Sequence, residues 1–328
     1  MLNNKVLLIT GGTGSFGKKF VEIVLKKFPK IKKLIIFSRD ELKQHDMQIE
    51  YPEKNFPQLR FFLGDVRDKN RLSMALENVD YVVHAAALKQ VPAAEYNPFE
   101  FIQTNVIGAN NLIESCILKK VKKTIALSTD KAAAPVNLYG ATKLCSDKLF
   151  ISANNIVGSN KVSFSVVRYG NVMMSRGSVV PSFLKNKSSG ILNITDKNMT
   201  RFSITLEEGV NFVLFALAKS IGKEILVPKL SSYNIIDLAK AVSEKSKIRI
   251  IGIRNGEKIH EEMITMSDSY NTIESKNFYV ILPSINKNYN KYLNLYKAKK
   301  INKPFSYNSL DNKSKLTIED LKYLVYKK

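Results

Sequence analysis

The run Thr10-Gly11-Gly12-Thr13-Gly14-Ser15-Phe16-Gly17 follows directly on the apolar segment Lys5 to Thr10 and opens an amphipathic stretch, Phe16 to Phe28. Glycines at Gly11, Gly14 and Gly17 allow a sharp turn out of a strand, a close approach of backbone to a pyrophosphate, and tight packing of the next helix, whose first N–H groups are free for phosphate. A chain that begins this way is predicted to form a parallel sheet with a dinucleotide-binding turn at its first crossover. The first half keeps that rhythm. Apolar runs at Lys33 to Ser38, Leu59 to Leu63, Tyr81 to Ala85, Thr124 to Ser128 and Val162 to Arg168 alternate with helical patterns such as Pro98 to Leu118. Continuous Val/Ile/Leu/Phe runs without strict alternation are what strands buried on both faces look like.

The expected class is therefore α/β, a doubly wound parallel sheet of Rossmann type with a smaller C-terminal α/β lobe. The 328 residues allow one large domain or two sharing a cleft, at about 100 to 200 residues per domain. Beyond residue 170 the segments shorten, broken by Gly177, Pro181, Gly190 and Pro228. We expect a dinucleotide-binding unit over 1–170, with some later segments returning to it, a substrate-binding lobe over 171–284, and a basic extension over 285–328. That extension carries 11 Lys against 3 acidic residues and a weak helical pattern at Ile318 to Tyr326, which reads as a loosely packed surface segment.

Charge needs separate treatment, because a net +22 would suit a nucleic-acid binder. Only 9 of the 51 basic residues are Arg, the residue that reads bases and phosphates in bidentate fashion, and the Lys are scattered over the whole chain. A solvated surface and composition bias explain them, and no nucleic-acid partner is expected. Cys116 and Cys145 lack CxxC spacing and a His partner, so neither a disulfide framework nor a metal site is expected. No apolar run approaches the roughly 18 residues of a membrane span, and a cytoplasmic location fits.

After the second strand comes Ser38-Arg39-Asp40-Glu41-Leu42-Lys43. Ser38, Arg39 and Lys43 suit the 2′-phosphate of NADP, although Asp40 could equally grip the ribose of NAD or cap the next helix. Asp65 and Val66 close the third strand beside the expected adenine. Tyr139 and Lys143, spaced i, i+4, share one helix face. A tyrosine with a reference pKa near 10 acts as a base only if a neighbouring cation stabilises its phenolate, and Lys143 is the candidate. Just upstream, Ser128-Thr129-Asp130-Lys131 ends the fifth strand, where ligands of such sheets bind. Hydride transfer alone needs one proton acceptor. An additional adjacent acid and amine imply a second proton transfer.

These residues resemble an extended short-chain dehydrogenase/reductase, and more narrowly the configuration-inverting UDP-N-acetylglucosamine 4,6-dehydratases that open the pseudaminic acid pathway. The resemblance runs from about residue 5 to 283. It rests on TGGTGSFG (10–17), SRDELKQ (38–44), HAAALKQVPAAEYNPFE (84–100), STDKA (128–132), NLYGATKLCSDKLF (137–150), RYGNV (168–172), SRGSVVP (175–181), ITD with MTRF (194–202) and GEKIHEEMIT (256–265). It implies NADP held by Gly11, Thr13, Gly14, Ser15, Phe16, Gly17, Ser38, Arg39, Lys43, Asp65, Val66, Ala85, Ala86, Tyr139 and Lys143. Tyr139 would take the C4 hydroxyl proton as the hydride leaves for NADP. Lys131, made partly neutral by desolvation, would abstract the C5 proton. Asp130, protonated, would protonate the departing C6 hydroxyl before the hydride returns to C6. Lys89, Thr129, Asn171, Arg201, Arg254 and Glu257 would bind the UDP-sugar. The family also tends to form homo-oligomers. Ala134, Met174, Ser203 and Asn255 stand where the family usually has Asn, Gly, Trp and Pro, and Met174 and Ser203 flank the expected sugar site. The competing readings are another NADP-dependent nucleotide-sugar dehydratase or 5-epimerase, and a non-catalytic dinucleotide sensor. A simple 4-epimerase would leave Asp130 and Lys131 idle.

Overall fold

A computed structural model describes residues 1–158, 161–283 and 289–326. The first half alternates as its apolar runs imply: β1 (Val6–Thr10), α1 (Ser15–Lys27), β2 (Lys33–Ser38), α2 (Glu41–Glu50), β3 (Leu59–Leu63), α3 (Lys69–Ala75) and β4 (Tyr81–His84). Then follow α4 (Val91–Tyr96), α5 (Pro98–Ile102), α6 (Gly108–Leu118), β5 (Lys123–Thr129), α7 (Leu138–Ala153) and β6 (Ser163–Tyr169). β3, β2, β1, β4, β5 and β6 lie side by side in that order, all parallel. The order reverses between β1 and β4, which opens a crevice at the strands' C-terminal ends. β1 is buried throughout.

The second half divides between that sheet and a lobe above its strand ends. In chain order come β7 (Asn171–Val172), α8 (Val179–Asn186), β8 (Ile191–Ile194), β9 (Thr200–Ile204), α9 (Leu206–Lys219), β10 (Ile225–Pro228), β11 (Ser231–Asn234), α10 (Ile235–Val242), β12 (Lys247–Ile250) and β13 (Glu262–Ile264). They are followed by α11 (Met266–Ser269), β14 (Thr272–Glu274), β15 (Phe278–Ile281), α12 (Tyr289–Tyr296), β16 (Lys299–Lys300), β17 (Tyr307–Asn308) and α13 (Ile318–Tyr326). β10 extends the sheet in parallel beside β6, and β15, β14 and β16 complete it in antiparallel fashion. One apolar layer, with Phe20, Val24, Val213 and Leu217, covers one face, and another, with Leu72, Leu112, Ile113 and Phe150, covers the other. A third cluster, with Phe183, Leu238, Val242 and Leu321, is the core of the lobe.

Two expectations change. Pro98 to Leu118 is not one regular helix, since Gln103–Ile107 is a π-helical segment between α5 and α6. Such bulges displace side chains from the regular register. Here Asn105 is buried, donates to Leu88 O (2.9 Å) and Thr142 Oγ1 (3.0 Å), and accepts from Leu88 N (2.9 Å), tying the Lys89 loop to α7. The C-terminal segment is not loosely packed where it is described; its expected start at 285 lies outside the described residues. β16 and β17 pair with β14 and β13, Tyr307 lies against Phe202, and Leu321 and Val325 of α13 are buried in the lobe core. Most of its described lysines are exposed, on elements that bury a few apolar side chains, Tyr292, Tyr296, Tyr307, Leu321 and Val325. Among the described residues no helix is long and apolar enough to cross a membrane.

Candidate active site

The glycine-rich turn leaves β1 at Gly11, whose φ of +67° places it in the left-handed region; a Cβ there would lie 2.8 Å from Ala86 N. Only glycine lets the end of β1 come so close to Ala85 and Ala86, which follow β4. Thr10 Oγ1 fixes that junction by accepting from both Ala85 N and Ala86 N at 3.2 Å. Gly14 precedes α1 without a side-chain cap, and the first turn, Ser15, Phe16 and Gly17, carries no acidic residue. Free N–H groups and the positive end of the helix therefore face the crevice, an arrangement that suits a pyrophosphate. Thr13 is buried in the turn, and Ser15 Oγ accepts from Arg176 N (3.2 Å) in the loop after β7.

At the end of β2, Ser38 is buried and its Oγ accepts from Gln44 Nε2 (3.0 Å). Asp40 caps α2 by accepting from Lys43 N (3.0 Å) and pairs with the Lys43 ammonium, which holds its carboxyl below the usual range. Arg39 stays half exposed, 3.7 Å from Asp65 Oδ2, and Asp65 also pairs with Arg67 at 2.8 Å. Val66 is buried against α6.

The chemical centre lies where β5 ends. Thr129 is followed by a single tight turn, Asp130–Ala132, and α7 starts at Leu138 with Asn137 Oδ1 accepting from Gly140 N (2.8 Å). A Cβ on Gly140 would sit 2.2 Å from Lys131 O, so only glycine there lets α7 press against the turn. That contact brings Tyr139 and Lys131 to one spot. Asp130 is fully buried, whereas the Lys131 side chain stays partly exposed. Lys131 Nζ donates to Asp130 Oδ1 at 3.0 Å and pairs with Glu261 Oε1 at 2.9 Å; Thr129 Oγ1 donates to Asp130 Oδ1 at 2.9 Å. Burial, reinforced by the Glu261 charge, pushes the Asp130 carboxyl up.

Lys131 goes the other way from the sequence expectation. Burial alone would lower it, but the adjoining Asp130 and Glu261 carboxyl groups outweigh burial and raise it, which favours the ammonium. Tyr139 is likewise pushed up to about 12 by burial, and the cation that opposes the rise is Lys131. Lys143, the expected counter-charge, is lowered by burial and donates to Leu127 O at 2.7 Å, where it anchors α7 to β5.

Of the expected sugar-nucleotide residues, Arg201 comes into this cluster, 3.6 Å from Glu261 and 3.8 Å from Glu257. Its guanidinium also donates to Thr200 O, Ile259 O and Lys258 O, so its reach is held by the protein itself. Asn171 opens β7 with a buried Oδ1 that has no protein partner. Lys89 is solvent-exposed, and partial burial of its ammonium together with the nearby Lys131 charge lowers its pKa. Arg254 stands apart on the surface, linked to Glu257 through its backbone, whose N donates to Glu257 Oε2 (3.3 Å) and whose O accepts from Glu257 N (3.1 Å). Two departures from the family pattern, Ala134 (φ 44°) and Met174 (φ 60°), have left-handed backbone, which Asn and Gly adopt more cheaply.

Glu261 was missed by sequence reasoning. It lies in GEKIHEEMIT, but nothing local separates it from Glu262, which is less buried. The one available signal was indirect: a buried Asp–Lys pair needs further charge partners. Among the described residues no cluster of His, Cys, Asp or Glu is arranged to hold a metal.

The sequence profile of a family described as "Polysaccharide biosynthesis protein" matches residues 7–283. A Campylobacter jejuni protein named UDP-N-acetylglucosamine 4,6-dehydratase (inverting) is 54% identical over 319 residues, 95% of this chain and 94% of the relative. A Rickettsia bellii protein named UDP-glucose 4-epimerase is 42% identical, covering 99% and 96%. Among solved structures, Pen from Bacillus thuringiensis superposes with a TM-score of 0.90 at 36% identity, covering 100% of this chain and 99% of that one.

Proposed function

The chain belongs to the polysaccharide biosynthesis protein family, and from that membership we propose that it is an inverting UDP-N-acetylglucosamine 4,6-dehydratase, a hydro-lyase that depends on NADP. The observation that carries the reading is the Asp130–Lys131 pair, its acid fully buried, beside Tyr139 at the end of β5. Two proton-transfer groups beyond the tyrosine have work only if water is eliminated. When bound, the dinucleotide would accept a hydride from the sugar and return it.

Residues of the glycine-rich turn, with Ala85 and Ala86, would hold its pyrophosphate side, and Arg39 and Lys43 its 2′-phosphate. NADP is favoured over NAD because the Asp40 carboxylate is engaged in capping α2 and pairing Lys43. Tyr139 would receive the C4 hydroxyl proton, Lys131 would take the proton from C5, and Asp130, kept protonated by burial, would give its proton to the leaving C6 hydroxyl. Residues 171–284 would supply the sugar-nucleotide contacts over the unit formed by 1–170. Self-association of the chain is part of the same proposal.

The test is incubation with NADP and UDP-N-acetylglucosamine in D₂O, read by mass spectrometry and NMR. The expected product is a 4-keto-6-deoxy sugar carrying deuterium at C5 with inverted configuration. Unchanged sugar would sink the dehydratase reading. The second reading, 4-epimerisation, has the Rickettsia relative in its favour and gives inversion at C4 with no deuterium at C5.

A further inference from the structure

The proposed reaction requires Lys131 to be a neutral amine when it meets the C5 proton, yet its Nζ lies between the carboxyl groups of Asp130 and Glu261, which favour the ammonium. Its proton must go to an acceptor in contact with Nζ. Among the described residues two carboxylate oxygens qualify, Asp130 Oδ1 at 3.0 Å and Glu261 Oε1 at 2.9 Å. Asp130, pushed up by burial and the Glu261 charge, is the group assigned to protonate the leaving hydroxyl. Glu261 is left: the Lys131 and Arg201 charges outweigh its burial and hold its carboxyl below the usual range, so it rests as the anion that can accept a proton once the hydration of the pair is removed. It is buried, its backbone N is fixed by Ser309 Oγ (2.9 Å) from the C-terminal segment, and its second oxygen, Oε2, has no protein partner.

Resting on the dehydratase reading, we propose that Glu261 is the positioning residue of the C5 proton transfer: it holds Lys131 in place and receives the ammonium proton when the sugar excludes water. The Lys131 side chain is 22% exposed and that of Glu261 2%. A ligand that covers Lys131 removes the remaining hydration of the ion pair, and a dry site favours the neutral acid–amine pair over two charges. In the step, an Nζ–H bond breaks as an O–H bond forms on Glu261. The freed amine lone pair then takes the C5 proton, and the C5–H electron pair passes into the enolate of the 4-ketone. Lys131 ends as an ammonium and Glu261 as an acid. The other groups whose charge acts on this pair are Asp130, Arg201 and Lys258, and the charges of the pair act in turn on Lys89, Tyr139 and Tyr233.

The test compares wild type with Glu261→Gln, which keeps the shape of the contact but cannot accept the proton. With UDP-N-acetylglucosamine and NADP in D₂O, deuterium entry at C5 should fall about 100-fold or more at neutral pH, with KM and NADP binding within about twofold of wild type. The lost rate should return as pH is raised, because Lys131 then loses its proton to solvent. Glu261→Asp should recover part of it. Wild-type exchange in Glu261→Gln, faster exchange at low pH, or a pH-independent loss accompanied by a rise in KM would each overturn the proposal. A turnover-free arm separates this from the functional reading. The Lys131 resonance of reductively ¹³C-methylated protein, assigned by its absence in Lys131→Met, should titrate at lower pH in Glu261→Gln. An unmoved resonance overturns the inference even if the wild type is active. A moved resonance in a protein that leaves the sugar unchanged refutes the dehydratase reading and leaves Glu261 in control of the Lys131 proton. If Glu261→Gln loses its fold by circular dichroism, both arms are read on Glu261→Asp, where a wild-type rate and titration would be the overturning result.

Discussion

Glu224 lies just before β10 with no exposed surface, far from the crevice, and is a buried carboxyl that the chemistry does not use. Its Oε1 accepts from Ile221 N (2.7 Å) and from the Tyr296 hydroxyl (2.8 Å) on α12, while Oε2 has no partner. Burial pushes it from 4.5 up to about 7 despite those bonds and the nearby Lys123. Between about pH 4.5 and 7 the folded protein keeps a proton that the unfolded chain has released. Stability therefore falls as pH rises through that window, and the full penalty is present above it. A displacement of that size is worth about 3 kcal/mol, of which roughly 2 to 3 kcal/mol falls between pH 5 and 8. His84 works in the opposite sense. Burial pushes it down to about 3, so it gives stability that grows from about pH 3 to 6.5 and masks part of the Glu224 slope in the wild type. The clean measurement is the difference between wild type and Glu224→Gln in urea unfolding at pH 5 and pH 8. The variant should gain about 2 kcal/mol or more on the wild type between the two pH values, with unchanged m. An equal difference at both values would refute the argument that this carboxyl is buried under α12.

Two further outcomes test other parts of the structure. Leu321→Ala should cost about 2 to 5 kcal/mol in urea unfolding, as expected for a core leucine, because Leu321 is fully buried in the lobe; a loss below about 0.5 kcal/mol would restore the picture of a surface extension. Arg39→Ala should weaken NADP by at least about tenfold in calorimetric titration, the loss of one charge-assisted bond of about 1.5 to 3 kcal/mol, and leave NAD within about twofold; equal weakening of both would remove Arg39 from the 2′-phosphate.

What could be read from the sequence was whatever one segment decides by itself. β2 falls on Lys33–Ser38, the residues its apolar run marks, because a strand covered on both faces is apolar at nearly every position, and β3 at Leu59–Leu63 matches its run although it is the edge strand, with Arg60 and Leu63 exposed. The glycine-rich turn was legible for the same reason, since its constraint is local backbone geometry. β7, β14 and β16 are only two or three residues long and acquire strand character from partners far away in the chain, so no periodicity could announce them. The site divides along the same line. Asp130 and Lys131 are adjacent in sequence and stood out as a pair, but the second carboxyl that raises Lys131 belongs to Glu261, 130 residues later. Asp130 and Glu261 together raise Lys131 against its desolvation, and only the first of them is its neighbour in sequence. The residue type at 131 could be chosen from the chain, whereas its resting charge is a property of the fold, and a base that rests as an ammonium needs a second residue to relieve it of the proton.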